Sequence, residues 1–103
     1  MTRYVEMQVA CGNEREASVI AEALVGDRLA ACVQLFPIRS TYRWEGRVEH
    51  DEELLLLVKT RADLAETVRD RVLAMHSYDV PAVTWVEIAG GSPDYLAWID
   101  AET

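Results

Sequence analysis

The chain has 103 residues, half of them apolar, with ten basic against eighteen acidic side chains and a net charge of −8. That length and composition point to one domain with a real core and argue against disorder. The acidic balance disfavours nucleic acid and anionic membranes as partners and is compatible with cations, although a solvated acidic surface has the same composition.

The opening segment, Thr2-Arg3-Tyr4-Val5-Glu6-Met7-Gln8, carries no apolar leader region, and no run is long enough to cross a bilayer. The expected location is the cytoplasm, where Cys11 and Cys32 stay reduced.

Tyr4 to Cys11 predicts a first strand, with Val5, Met7, Val9 and Cys11 on one face and Glu6, Gln8 and Ala10 on the other. Gly12-Asn13 breaks it. Asn13 is a suitable N-cap with Glu16 at the N3 position of a capping box, and Ala17, Ile20, Ala21 and Leu24 follow at helical spacing. Gly26 suits the end of this first helix. Ala30 to Trp44 reads as a second strand in which Pro37 removes a ladder donor, so it belongs at a sheet edge or carries a bulge. Trp44-Glu45-Gly46-Arg47 is a tight turn, and Arg47 to Lys59 returns as strand three. Arms of about twelve residues span roughly 40 Å, so this hairpin should overhang its own domain.

Thr60 is placed to cap a second helix, with Asp63 at N3 and an inner stripe of Leu64, Val68, Val72 and Met75. Tyr78-Asp79-Val80-Pro81 ends it. Ala82 to Ala89 forms strand four and Gly90-Gly91 terminates it. Ser92-Pro93-Asp94 then opens a short third helix, packed down by Tyr95, Leu96 and Ile99.

The order β-α-β-β-α-β is the ferredoxin-like pattern, an α+β fold over residues 1–103 with an antiparallel sheet in the order 4-1-3-2. The run Leu54-Leu55-Leu56-Leu57-Val58 has the length of a strand buried on both faces and falls at a central position. Two helices cover one sheet face. The other keeps leucines of strand three and apolar residues among Val83, Trp85, Val86 and Ile88, an area that a single chain leaves exposed. A homo-oligomer burying that face is the expectation. Leu55 or Leu56, whichever points outward, is then the position where an aspartate dissociates the assembly.

The segments Leu29-Ala30-Ala31-Cys32-Val33, Tyr42-Arg43-Trp44-Glu45-Gly46-Arg47-Val48-Glu49, Leu57-Val58-Lys59-Thr60-Arg61, His76-Ser77-Tyr78-Asp79-Val80-Pro81 and Gly91-Ser92-Pro93-Asp94-Tyr95-Leu96-Ala97-Trp98-Ile99 together resemble the CutA family of divalent ion tolerance proteins. The resemblance covers nearly the whole chain. It implies a tight homotrimer with inward-facing sheets, as in the PII signalling proteins, linked to tolerance of copper and other divalent cations and with no catalytic activity assigned.

Topology places Cys11, ending strand one, and His76, ending helix two, at the same end of the sheet. Cys32 begins strand two at the other end, too far for a disulfide with Cys11. A thiolate and an imidazole suit copper, and Met75 offers a thioether beside His76, so Cys11, Met75 and His76 are the candidate metal ligands. Family members that bind copper resemble this layout with a His-His pair, whose first member is Met75 here. The ordinary readings are a core thiol for Cys11, a core side chain for Met75 and a helix-dipole partner for His76. His50, between Glu49 and Asp51, reads as a solvated or interface residue. Tyr42, Trp44, Tyr78, Tyr95, Trp85 and Trp98 line a cleft between protomers or pack the hairpin on a neighbour. Lys59 and Arg61 flank the start of helix two, where they hold an anion or pair with Asp63 or Glu52.

Three functions compete: a metal-binding trimer without catalysis, a PII-like module binding a small anion or nucleotide between subunits, and an enzyme. No Gly-rich phosphate loop, Ser-His-Asp spacing, Cys-x-x-Cys or His-Glu-x-x-His supports the last two, and the nearest acid–base set is His76, Tyr78 and Asp79.

Overall fold

Alternation decides the first strand. In the computed structural model, which describes residues 2–103, β1 (Tyr4–Cys11) buries Val5, Met7, Val9 and Cys11 and turns Tyr4, Glu6, Gln8 and Ala10 to the opposite face. Helix α1 (Glu14–Gly26) starts where Asn13 Oδ1 accepts the Glu16 N–H at 2.8 Å, and it buries Ala17, Ile20 and Leu24. Only half of the expected capping box forms, because the Glu16 carboxylate accepts from Ser77 instead. The helix ends with Leu24 O accepting from the N–H groups of Leu29 and Ala30 at 2.9 and 3.1 Å. The left-handed residue of this exit is Arg28, at φ 58°, rather than Gly26.

Strand β2 (Cys32–Trp44) begins two residues later than the sequence suggests, and β3 (Arg47–Arg61) runs two residues further. All thirteen residues of β2 pair with β3. Their turn holds Glu45 and Gly46 at φ 50° and 81°, the left-handed pair of a two-residue hairpin whose twist matches the strands. β1 reaches only as far as Leu54 on β3, so the outer part of the hairpin projects past the sheet and stretches the molecule to 44 Å against 25 and 21 Å.

Thr60 is not a helix cap. Pairing of β1 with β3 continues to Tyr4 and Arg61, which holds Thr60 in the strand. There it is fully buried and donates its hydroxyl to Leu29 O at 2.7 Å. A 3-10 turn over Ala62–Leu64 follows, and helix α2 (Ala65–Met75) packs through Ala65, Val68 and Val72. Met75 is half-buried against this core, and Leu64 is half-buried in the turn.

Strand β4 (Val83–Glu87) is shorter than the expected span Ala82–Ala89. The sheet order is β2-β3-β1-β4, all antiparallel, with the proline-bearing strand at an edge as its missing donor requires. Helices α1 and α2 cover one face. There Leu56 and Val58 meet Met7, Val9, Ile20 and Val68, all fully buried. Each such side chain contributes about 1.5–3 kcal/mol by leaving water.

The register puts Leu55 and Leu57 on the other face, with Phe36 opposite Leu55. At β4 the register selects among the candidates for that face: Val83 and Trp85 share the face of Met7, and Val86 is the apolar residue of the strand that turns away. Helix α3 (Pro93–Glu102) lies on the lower end of this face. Ser92 takes the N-cap position without a side-chain hydrogen bond, and Ile99 is fully buried. The Tyr4 hydroxyl donates to Asp100, and Lys59 Nζ lies 5.6 Å from the centre of the Tyr95 ring. No helix among the described residues is long and apolar enough to cross a membrane.

Candidate functional site

The upper end of the sheet gathers the end of β1, the C-terminus of α2, the following loop and the root of the hairpin. His76 closes the last turn of α2 with its N–H on Val72 O at 2.9 Å and then turns extended, at φ −79° and ψ 141°. That turn aims its ring at β1. Nε2 lies 2.7 Å from Ala10 O. A carbonyl only accepts, so Nε2 carries the proton and Nδ1 keeps its lone pair, which takes the Tyr78 N–H at 3.1 Å. The side chain is completely enclosed. Glu16 binds the same loop from α1, accepting from Ser77 N at 2.6 Å and from Ser77 Oγ at 2.9 Å, with one oxygen 3.9 Å from Nδ1.

Cys11 is fully buried opposite Leu54. Burial first, then the carboxylates of Glu16 and Glu53, pushes its thiol up to about 11. At neutral pH the sulfur is therefore protonated, whereas a metal ligand must be a thiolate. The structure brings Cys11 and His76 to one end of the sheet, joined through the Ala10 carbonyl, and packs Met75 on the same core. Among the described residues, no three His, Cys, Asp or Glu side chains are grouped to hold a metal ion. In the metal-free protomer both imidazole nitrogens are engaged by backbone groups and the thiol is protonated, so a copper ion at this set would have to displace a backbone partner of His76 and the Cys11 proton. Cys11 and Cys32 are both free, standing beside Leu54 and Lys59 on opposite sides of β3, roughly 17 Å apart along it and beyond disulfide reach.

Next to this network, beneath the projecting hairpin, lies a cavity of about 500 Å³ walled by Tyr42 and Trp44 of β2, Glu53 of β3, and Tyr78, Asp79 and Val80 of the loop. The Tyr78 hydroxyl donates to Glu53 Oε2 at 3.0 Å, tying the loop to the hairpin. Burial, then that hydrogen bond and the Glu53 charge, raises the Tyr78 phenol well above its ordinary value. The Tyr42 hydroxyl donates to Asp51, and this bond, followed by burial and the charges of Asp51, Glu53 and Glu49, pushes Tyr42 up to about 12. A Cβ at Gly12 would lie 2.7 Å from the Tyr78 oxygen, so any other residue there pushes the Tyr78 ring aside.

The lower end of the sheet is different. A hollow there is lined by Thr2, Arg3, Arg61, Ala62 and Asp63. Arg3 Nε pairs with Glu87 at 3.1 Å. Arg61 Nε lies 3.2 Å from Asp63 Oδ1, close enough for an ion pair but not aligned for a hydrogen bond. Lys59 points away, to Gln34 Oε1 at 3.1 Å. With Thr60 in the strand, these cations do not frame a helix N-terminus, and ion pairing with Asp63 is the outcome for Arg61. The sequence missed Glu16, Ser77, Glu53 and Gly12. Only the Gly12-Asn13 break and the Tyr78 turn hinted at them.

A ferredoxin-like α+β fold, with an antiparallel sheet helix-covered on one face and a long projecting hairpin, is the class to which the chain belongs. The family model described as "CutA1 divalent ion tolerance protein" matches residues 5–102, and the chain belongs to that family. It is 47% identical over 92 residues to the "Divalent-cation tolerance protein CutA" of Thermus thermophilus, covering 88% of this chain and 89% of that one. It is 42% identical over 100 residues to "Protein CutA, chloroplastic" of Arabidopsis thaliana, covering 96% of this chain but only 55% of that longer protein. The solved structure of the "Periplasmic divalent cation tolerance protein CutA" of Archaeoglobus fulgidus superposes with a TM-score of 0.92 at 39% identity, covering 99% of this chain and 98% of the other. The family's description names tolerance of ions and no reaction.

Proposed function

We propose that the chain acts as a homotrimeric, non-catalytic divalent-cation tolerance protein of the cytoplasm. The observation that carries the assembly is the open sheet face. Phe36 and Val86 stay 42% and 59% exposed there, Leu55 and Leu57 are only half-buried, and α3 shields the lower end alone. Phe36, Leu55 and Leu57 adjoin on β2 and β3, and exposed apolar side chains grouped in this way mark an interface. The projecting hairpin adds Trp44 and Val48, 43% and 54% exposed, which a neighbouring copy would cover. Sedimentation equilibrium should give three times the 11.6 kDa chain mass at micromolar concentration, and Leu55→Asp should reduce it to one. A well-behaved wild-type monomer would remove this reading.

The cation role is supported by the likeness to divalent-cation tolerance proteins. Copper at Cys11, Met75 and His76 is a second reading, favoured by the meeting of Cys11 and His76 at one end of the sheet. It requires the imidazole to release Tyr78 N–H or Ala10 O and the thiol to ionise. Calorimetric copper titration of the wild type, Cys11→Ser and His76→Ala decides it: loss of binding in both variants supports this site, and equal binding in all three removes it. Cell fractionation tests the cytoplasmic placement.

A further inference from the structure

We propose that loop 77–80 is a bracket that fixes the tilt of the projecting hairpin for docking on the neighbouring copy, with Tyr78 as its positioning residue; this deepens the trimer reading above and rests on it. β1 reaches no further along β3 than Leu54, so residues 37–53 stand clear of the sheet as a two-stranded ribbon. Such a ribbon is marginal by itself and has no third strand to hold its direction. Its arm from Arg47 to Glu53 is roughly 23 Å long at strand rise, so a tilt of about 10° at the root carries the tip roughly 4 Å away. Among the described residues, the bond from the Tyr78 hydroxyl to Glu53 Oε2, at 3.0 Å, is the one side-chain hydrogen bond or ion pair that joins this ribbon to another element.

The loop end of that bond is held by β1, α1 and α2 together. His76, closing α2, sets Nε2 2.7 Å from Ala10 O of β1 and takes the Tyr78 N–H on Nδ1 at 3.1 Å. Glu16 of α1 accepts from Ser77 N and Oγ at 2.6 and 2.9 Å. The Tyr78 ring lies 4.8 Å from the His76 ring and closes against Gly12. A residue fixed on the helix-and-sheet body therefore grips the hairpin at its root.

Tyr78 is 39% exposed and stands outside the buried core, so its bond to Glu53 acts on the direction of the ribbon more than on the fold. Holding an element in its docked orientation removes the ordering cost from association. A three-fold ring adds a stricter demand. It joins unlike patches of successive copies, and a contact that misses the closing angle gives an open chain instead. A hairpin fixed at its root meets that demand, whereas a swinging one does not.

The test uses the full chain. Isotope-labelled and unlabelled trimers are mixed, and subunit exchange is followed by native mass spectrometry. Tyr78→Phe should speed exchange about tenfold with the circular dichroism unchanged, Glu53→Ala should match it, and the double variant should be no faster than either, because all three break one bond. Glu53→Gln, which keeps an acceptor for Tyr78, should exchange like the wild type. Gly12→Ala, outside the hairpin, displaces the ring and should also speed exchange. In the Leu55→Asp monomer, adding Tyr78→Phe should raise the amide mobility of residues 43–48 and leave β1 unchanged. Wild-type exchange in Tyr78→Phe, additive effects of Tyr78→Phe and Glu53→Ala, or unaltered mobility of residues 43–48 would overturn the bracket. A wild type that forms no trimer removes the assembly reading instead, and the mobility comparison, made on that monomer, still decides whether Tyr78 holds the hairpin.

Discussion

Leu56 and Leu57 are neighbours in the same strand and chemically identical, yet they belong to different structures. Leu56 is completely buried beneath α1 and α2, while Leu57 is half-buried on the bare face. A strand's two-residue period turns consecutive side chains to opposite sides, so one residue serves the core and the next lies on the face of the proposed assembly. The same division appears between the ends of the sheet. The upper end has a cavity and a histidine locked by backbone groups, and the lower end has exposed ion pairs.

The comparison of the two leucines is broken most directly by truncation. Leu56→Ala should cost about 2–5 kcal/mol in urea denaturation through lost burial and a residual cavity. Leu57→Ala should cost less, and its effect should appear as a midpoint that depends on protein concentration.

The second expected effect sharpens the contrast between the ends of the sheet through pH. The Cys11 thiol rises from 9.0 to about 11 on folding, so its stabilising contribution is complete below about pH 9 and is lost as pH climbs through about 11. Two pKa units correspond to about 2.7 kcal/mol. Denaturant melts from pH 8 to 11.5 should therefore show the stability of the wild type falling relative to Cys11→Ser by about 2–3 kcal/mol.

Thr60→Val probes the strand end that the sequence misreads. It removes the donor to Leu29 O and should cost about 1–2 kcal/mol by thermal or chemical denaturation, far more than a surface threonine. Gly12→Ala should cost about 1 kcal/mol, because Tyr78 must move off Glu53, and its mark is a shifted Tyr78 ring signal. Arg3→Ala, at an ion pair whose side chains are 67% and 56% exposed, should change stability by less than about 0.5 kcal/mol.

Much of this molecule was legible in the residues. The alternation of Val5, Met7 and Val9, the Asn13 cap, the Glu45-Gly46 turn and the edge placement of Pro37 are local effects, and the structure reproduces each of them. Thr60 was misread for a physical reason. Thr-x-x-Asp is a sound local helix start, but pairing with β1 outweighs one capping bond. The face of Trp85 was left open, because the short β4 leaves little pattern from which to choose one. The candidate site was only partly visible. Chain direction put Cys11 and His76 at the same end, but nothing local announced that Ala10 and Tyr78 would occupy both ring nitrogens.

By itself the sequence determined the family, the order of the elements, their antiparallel pairing and the length of the hairpin, because these follow from periodicity, turn chemistry and motifs within a few residues. Tertiary structure alone decided where α3 lies, how Glu16 and Tyr78 bind the loop, and that aromatic rings and carboxylates enclose a cavity beneath the hairpin. Those outcomes depend on contacts between residues tens of positions apart, and no local propensity specifies them.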